Sequence, residues 1–402
     1  MKYVILIGDG MGDYPLEELG GRTPLEAAAT PNLDFLARRG ELGLARTIPQ
    51  GMEPGSDIAN LAILGYDPKR YHTGRAPLEA AALGVTLAPE EVAFRCNLVT
   101  LRAENSRLYM ESYSAGHISS EEAKEIIAAL EEALGENGRH FYPGVSYRHL
   151  LVWNQGGDGW RTYPPHDLSG QEVGGLFSAT GPEAPLWELV RASWPVLAEH
   201  PVNRARRAQG KKPATSIWLW GQGRPPQLPT LQERFGLRGV VIGAVDLIRG
   251  LGIYAGLTPI RVPGATGYLD TNYAGKVAAA LTALKDKDLA FIHVEAPDEA
   301  AHSGDLKLKL KALEDFDAQV VGPLLSGLKE LGEHRLLVCC DHLTPLVLKT
   351  HSPEPVPFVI YDSRTTHEQR RSFSEGEAAK TGVHLEQGAE LLPRLLGHDG
   401  KS

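Results

Sequence analysis

Residues 2–12 read KYVILIGDGMG, an apolar run rich in β-branched residues that ends in Gly8-Asp9-Gly10. The run predicts a buried first strand with Asp9 at its carboxyl end. Open α/β sheets bind their ligands at the carboxyl ends of parallel strands. Asp9 is therefore the first candidate site residue, and its partners are expected after later strands of the same sheet.

Apolar runs of strand length recur along the chain, separated by helical patterns. They lie at residues 92–101, 216–220, 239–244, 289–294, 335–340 and 356–361. This alternation predicts an α/β fold, with a mainly parallel sheet flanked by helices. Residues 112–176 have a mixed α+β pattern, so we expect a small domain there, inserted between core segments 1–111 and 177–402.

Composition bounds the class of protein. The chain has 402 residues and a formal net charge of −9, which argues against a nucleic-acid partner. No apolar run approaches the roughly 20 residues that span a bilayer, so no membrane segment is expected. Cys96, Cys339 and Cys340 do not form a disulfide framework. We therefore expect a cytoplasmic enzyme without a signal peptide.

Acidic and histidine residues cluster late in the chain. Asp298 and His302 are four positions apart and share a face if the segment is helical. Asp341 and His342 follow an apolar strand, and His351 lies in the next loop. Each pair alone also fits a surface ion pair or a helix cap. Together at predicted strand ends, these carboxylates and imidazoles favour a site for Zn²⁺, Mn²⁺ or a related ion.

Ser56 is the candidate nucleophile. It lies in Gly55-Ser56-Asp57, directly before an apolar helical pattern at residues 58–64. A helix N-terminus favours a phosphate, and a serine activated there by a metal can accept a phosphoryl group. A serine in this position is also an ordinary N-cap, and the segment alone leaves both readings open.

Eight short segments of the chain together resemble one enzyme family. They are Ile7–Gly12, Pro54–Leu61 with Gly65–Pro68, Ser114–Ser119, Pro263–Gly267 with Asp270–Asn272, His293–His302 and Asp341–Pro345. In order and over essentially the whole chain, they resemble the archaeal-type cofactor-independent phosphoglycerate mutases of the alkaline-phosphatase-like metalloenzyme superfamily.

The resemblance implies an isomerase of glycolysis and gluconeogenesis. It would interconvert 3-phosphoglycerate and 2-phosphoglycerate through phosphorylated Ser56, with two divalent ions (Mn, Mg, Zn or Co) and no bisphosphoglycerate. One ion would be held by Asp298, His302 and His351. The other would be held by Asp9, Ser56, Asp341 and His342.

The resemblance also gives the inserted domain a purpose, as a lid that excludes water. His117 and Arg148 would bind the anionic substrate there, and Asp167 would move protons between its two hydroxyls. Arg75 and Lys276 would contact the phosphate from the core.

Two departures from the archaeal pattern leave the acceptor alcohol open. They are Trp218-Leu219-Trp220, where a basic residue is expected, and Leu343, where a small polar residue is expected. They fit a bacterial branch whose members have also been proposed as homoserine kinases. A related phosphotransferase or phosphatase acting on another small alcohol, and a catalytically silent metal-binding protein, are the alternatives. The family includes monomers and larger assemblies, so a homo-oligomer stays open.

Overall fold

The computed structural model describes residues 1–178, 180–366 and 368–398. The chain forms two compact units. The first contains Met1–His72 and Gln227–Ser402, and the second contains Thr73–Pro226. The chain thus leaves the first unit once and returns to it once.

Strands are numbered along the chain. They are β1 Lys2–Gly8, β2 Glu41–Ala45, β3 Val92–Glu104, β4 Arg107–Ser112, β5 Arg139–Val145, β6 Arg148–Trp153, β7 Ser216–Gly223, β8 Gly239–Ile242, β9 Thr258–Ile260, β10 Leu289–Val294, β11 His334–Cys339, β12 Val356–Asp362 and β13 His384–Leu385.

The α-helices are numbered in the same way. They are α1 Pro24–Ala27, α2 Pro31–Arg39, α3 Ser56–Ile63, α4 Pro68–Tyr71, α5 Ala76–Ala82, α6 Ser120–Leu134, α7 Ala184–Ala198, α8 Pro201–Ala208, α9 Leu231–Phe235, α10 Asp246–Tyr254, α11 Tyr273–Ala283, α12 Ala296–Ser303, α13 Leu306–Phe316, α14 Gly322–Glu330, α15 Glu375–Lys380 and α16 Leu391–Leu396. Among the described residues, no helix combines the length and apolarity needed to cross a membrane.

The first unit is built on one sheet, with strand order β13-β2-β12-β11-β1-β10-β8-β9. β1 is central and runs parallel to both neighbours, β10 and β11. Within this sheet, the described residues form two antiparallel pairs, β11–β12 and β12–β2. Val4, Ile5, Leu6 and Ile7 of β1 are fully buried, because helices cover both faces of such a sheet. The predicted mainly parallel α/β core is confirmed.

The second unit has its own antiparallel sheet, in the order β4-β3-β6-β5, with β7 paired to β3. Helix α6 packs on β5 and α7 packs on β7. The predicted insert 112–176 therefore has boundaries that differ from those of the compact unit. The runs 92–101 and 216–220 were expected in the core, but they pair with each other, and the first also pairs with β6. An apolar run does not reveal which sheet it joins.

Candidate active site

The strand ends of the first unit bring distant residues together. Asp9 follows β1, while Asp341 and His342 follow the neighbouring β11. The backbone N–H of Gly10 donates to Oδ1 of Asp341 over 3.1 Å. Nε2 of His342 lies 3.5 Å from Oδ1 of Asp9 and 3.6 Å from Oδ2 of Asp341. The side chains that were expected at one sheet edge are therefore in contact.

A second group of ligand-type side chains adjoins the first. Asp298 and His302 lie one turn apart on α12, and Nε2 of His302 is 3.1 Å from Oδ2 of Asp298. This contact raises the pKa of His302 to about 9. Nε2 of His351 lies 3.0 Å from Nε2 of His302 and 3.6 Å from Oδ1 of Asp298. The His351 and His342 rings have centroids 3.9 Å apart.

Ser56 points into this cluster. It is the first residue of α3, and Gly55 is the N-cap, so the alternative in which Ser56 caps the helix is wrong. Oγ of Ser56 lies 3.1 Å from Nε2 of His342. Asn60, one turn later, donates from Nδ2 to the Ser56 carbonyl over 2.8 Å and to Oδ2 of Asp341 over 3.0 Å.

The donor set fits divalent cations. Asp9, His293 and Asp341 offer ligand atoms within 4.8 Å of one another, and so do Asp298, His342 and His351. Oδ1 of Asp9 is buried without a hydrogen-bond partner in the described part of the chain. Burial, and then the charge of Asp341, raise the pKa of Asp9 well above its ordinary value. A cation between these carboxylates would give the unpaired Asp9 oxygen a partner, and it would offset the repulsion between the charges of Asp9 and Asp341.

The seven side chains that were expected as ligands all lie in this cluster, and His342 adjoins both groups of ligand-type side chains. His342 was expected with Asp9 and Asp341, yet it also falls in the group of Asp298 and His351. Its ring lies between the two groups, within 3.6 Å of carboxylate oxygens of Asp9 and Asp341.

Comparison with known sequences identifies the family of this chain. A profile of the family "2,3-bisphosphoglycerate-independent phosphoglycerate mutase" matches residues 37–203. A probable 2,3-bisphosphoglycerate-independent phosphoglycerate mutase of Geobacter sulfurreducens is 52% identical over 398 residues, covering 98% of this chain and 100% of the relative. The chain belongs to this family. The corresponding enzyme of Methanothrix thermoacetophila is 51% identical over 98% of this chain and 100% of its own length.

Solved structures agree with the family assignment. The PH0037 protein from Pyrococcus horikoshii has a TM-score of 0.83 and 30% identity, with 100% of this chain and 98% of that chain covered. The cofactor-independent phosphoglycerate mutase from Thermoplasma acidophilum has a TM-score of 0.66 and 25% identity, with both chains fully covered. The resemblance drawn from the motifs is thereby confirmed, and these relatives share the fold along the whole chain.

His293 is a member of the first ligand group that the sequence analysis did not single out. It is fully buried on β10, and its Nε2 lies 3.6 Å from Oδ2 of Asp9 and 3.7 Å from Oδ2 of Asp341. Its Nδ1 lies 3.5 Å from Oε1 of Glu295. Burial opposes its protonation, but contacts with Asp341 and Glu295 raise the pKa of His293 to about 9. Its position near the end of a predicted strand was the available signal.

Lys276 does not have the position expected of a phosphate contact. Its side chain is 0% exposed, and Nζ donates to Oε2 of Glu295 over 2.6 Å and to the His293 carbonyl over 2.8 Å. A lysine enclosed in this way has no donor facing solvent. Lys276 is instead the counter-charge of Glu295, which also accepts from the backbone N–H of Ala244.

The predicted residues of the second unit surround Tyr113. The rings of His117, Tyr147 and His166 lie 6.4, 5.7 and 6.3 Å from the Tyr113 ring, between centroids. Arg148 lies over the Tyr147 ring, and Asp167 is 3.5 Å from Nε2 of His166. We call these residues the Tyr113 cluster.

Arg75 adds positive charge near the same cluster. It precedes α5, and its Nε is buried without a hydrogen-bond partner among the described residues. Burial lowers the pKa of His166, with contributions from the nearby charges of Arg95 and Arg75, while Asp167 opposes them. His117, Arg148 and Asp167 are all exposed. The second unit thus groups His117, Arg148 and Asp167 around Tyr113, with the charge of Arg75 close enough to act on His166.

Proposed function

We propose that this chain interconverts 3-phosphoglycerate and 2-phosphoglycerate through a phosphoserine on Ser56, without a bisphosphoglycerate cofactor. The observation that supports this most strongly is the position of Ser56. Its Oγ lies 3.1 Å from His342, within a cluster of aspartates and histidines at the N-terminus of α3. The family membership supports the substrate, a small phosphorylated hydroxy acid.

The reaction has two matched halves. In the first, Oγ of Ser56 bonds to phosphorus while the bond from phosphorus to the C3 oxygen breaks. In the second, the C2 oxygen bonds to phosphorus and Oγ of Ser56 leaves. Ser56 would react as the alkoxide, its proton having passed to solvent before the substrate binds, and it would leave phosphorus as the alkoxide in the second half. Asp167 would give a proton to the C3 oxygen and take one from the C2 hydroxyl. No atom is gained or lost overall.

The aspartates and histidines would hold two divalent ions. One would lie on Asp298, His302 and His351, and the other on Asp9, Asp341 and His342 with Ser56. Such ions, when bound, ease loss of the serine proton and neutralise charge on the phosphoryl oxygens. Asn60 fixes the first turn of α3 relative to Asp341, and thereby orients Ser56.

The Tyr113 cluster would hold the glycerate. Arg148 and His117 would pair with its carboxylate, since an exposed cation can exchange water for an anionic ligand. Arg75 would contact the phosphate. The second unit would also act as the lid that keeps water from the phosphoserine, so that transfer is favoured over hydrolysis.

Phosphorus NMR tests this function. Mn²⁺-loaded protein is incubated with 3-phosphoglycerate, with and without added 2,3-bisphosphoglycerate, and the products are followed. We expect 2-phosphoglycerate at the same rate in both samples, with little free phosphate. Free phosphate as the main product would indicate a phosphatase. No reaction of 3-phosphoglycerate, or a strict need for bisphosphoglycerate, would overturn the proposal.

A further inference from the structure

Lys309 is a buried cation outside the ligand groups. It lies on α13, and both its side chain and that of its partner Asp13 are 0% exposed. Nζ donates to Oδ2 of Asp13 over 2.6 Å, to the Gly12 carbonyl over 3.1 Å and to the Thr344 carbonyl over 2.8 Å. An ammonium has three N–H groups, so each has an acceptor here.

These acceptors belong to two loops that carry the ligand residues. Gly12 and Asp13 end the loop that contains Asp9, and Thr344 lies in the loop that contains Asp341 and His342. We define the first loop as residues 9–13 and the second as residues 341–346. Both oxygens of Asp13 also accept from the backbone N–H of Leu346, over 3.3 and 3.1 Å. The Lys309–Asp13 pair therefore joins the two loops directly.

The second loop also contacts the other ligand group. Oγ1 of Thr344 donates to Oδ1 of Asp298 over 2.5 Å. A displacement of Thr344 would therefore move a hydrogen-bond donor of Asp298 as well as the turn after His342. Outer-sphere groups of this kind orient metal ligands, and removing them costs about 10- to 100-fold in metal affinity.

We propose that Lys309 is a positioning residue for the metal site: its ammonium fixes loop 9–13 against loop 341–346, so that carboxylates from both ends of the chain meet one cation. The inference rests on the proposed function only in taking the ligand groups as a divalent-metal site. It assigns Lys309 no contact with substrate, because its amino group is enclosed by three protein oxygens.

The test separates positioning from stability. Lys309→Met removes the ammonium and leaves Asp13 as a buried unpaired charge, so it lowers both stability and metal affinity. The double variant Lys309→Met/Asp13→Asn removes that charge while keeping an oxygen for the Leu346 N–H. We expect the double variant to unfold at a higher urea concentration than Lys309→Met, with much of the lost stability restored. Its Kd for Mn²⁺ should stay about 10- to 100-fold above wild type, because the Gly12 and Thr344 carbonyls still lack the lysine.

Asp317→Asn is the matched control. Asp317 is also buried in the first unit, but it accepts from the backbone N–H groups of Asn32 and Leu33 at the start of α2. Its variant should lower the urea midpoint and leave the Mn²⁺ Kd unchanged. As a second readout, Co²⁺-saturated Lys309→Met should show a shifted visible absorption band, which reports ligand geometry rather than stability.

Three results would overturn the inference. One is wild-type Mn²⁺ affinity in Lys309→Met, and another is recovery of affinity together with stability in the double variant. The third is an equal loss of affinity in Asp317→Asn. The titrations contain no substrate, so a protein that binds Mn²⁺ but isomerises nothing would contradict the proposed function alone. A wild-type protein that binds no Mn²⁺ would contradict both.

Discussion

Asn60 donates a 3.0 Å hydrogen bond from Nδ2 to Oδ2 of Asp341, a residue 281 positions away in the sequence. The same amide group donates to the carbonyl of Ser56 over 2.8 Å. One side chain therefore connects the first turn of the nucleophile's helix to a carboxylate of the metal-binding groups. The bond to Asp341 was not predictable from the sequence, because it depends on α3 lying beside the end of β11.

Replacing Asn60 with alanine should lower kcat by about 10- to 100-fold, because Ser56 and Asp341 lose their shared donor. Asn32→Ala is the matched control, since Asn32 also lies on a helix and donates to a carboxylate, Oδ2 of Asp317, over 2.8 Å. Steady-state kinetics at saturating Mn²⁺ compares the two. Equal kcat values for both variants would exclude an orienting role for Asn60.

Replacing His302 with alanine should raise the Kd for Mn²⁺ by at least about 100-fold, more than an outer-sphere change would. His302 contacts both Asp298 and His351. His334→Ala provides the comparison, because His334 is buried but its Nδ1 contacts the backbone carbonyl of Gly332. Isothermal titration calorimetry should show that His334→Ala binds Mn²⁺ with wild-type affinity. A similar loss of Mn²⁺ affinity in both variants would count against a ligand role for His302.

Chelation should destabilise the protein, and one neutralising substitution should reduce the effect. A metal ion at a free concentration of 100 times its Kd adds about 2.7 kcal/mol to the free energy of unfolding. Without ions, the charge of Asp341 acts unfavourably on buried Asp9. Asp9→Asn should therefore raise the melting temperature of the chelated protein and abolish the gain from added Mn²⁺. A melting temperature that chelator leaves unchanged in wild type would contradict this prediction.

The Lys276–Glu295 pair should make stability depend on acid pH. Burial opposes ionisation of Glu295, but the nearby Lys276 ammonium and His293 lower its pKa to about 2. A carboxyl group whose pKa is lower in the folded state stabilises the fold at any pH above its pKa in the unfolded state. This contribution is lost as the pH falls from about 4.5 towards 2. It amounts to roughly 3 kcal/mol for a fully buried group. Urea unfolding of chelated Lys276→Met/Glu295→Gln should show a weaker decline over this range than wild type.

Much of this site could be predicted because its residues follow strong local patterns. Asp9 and Asp341 come directly after buried parallel strands, and Asp298 and His302 have helical spacing. These patterns place polar side chains at one sheet edge without any knowledge of contacts. Ser56 was recognised from the motif, although its surroundings alone also fitted an N-cap.

Other features depended on tertiary packing. Lys276 was taken as a phosphate contact, but a buried lysine and an exposed one have the same local sequence signature. His293 lies within the apolar run of β10, where a single histidine is more often structural. The insert boundaries at 112 and 176 also failed to match the compact unit 73–226, since strand pairing decided that β3 and β7 belong to it.

Covalent trapping of Ser56 tests the central claim most directly. The Mn²⁺-loaded protein is mixed with 3-phosphoglycerate, quenched in acid within milliseconds, and digested for mass spectrometry. We expect phosphate on Ser56, and we expect Ser56→Ala to give neither the phosphopeptide nor 2-phosphoglycerate. Ser326→Ala, at an exposed helix serine of the same unit, should behave as wild type. Isomerisation by Ser56→Ala at the wild-type rate would contradict the phosphoserine mechanism.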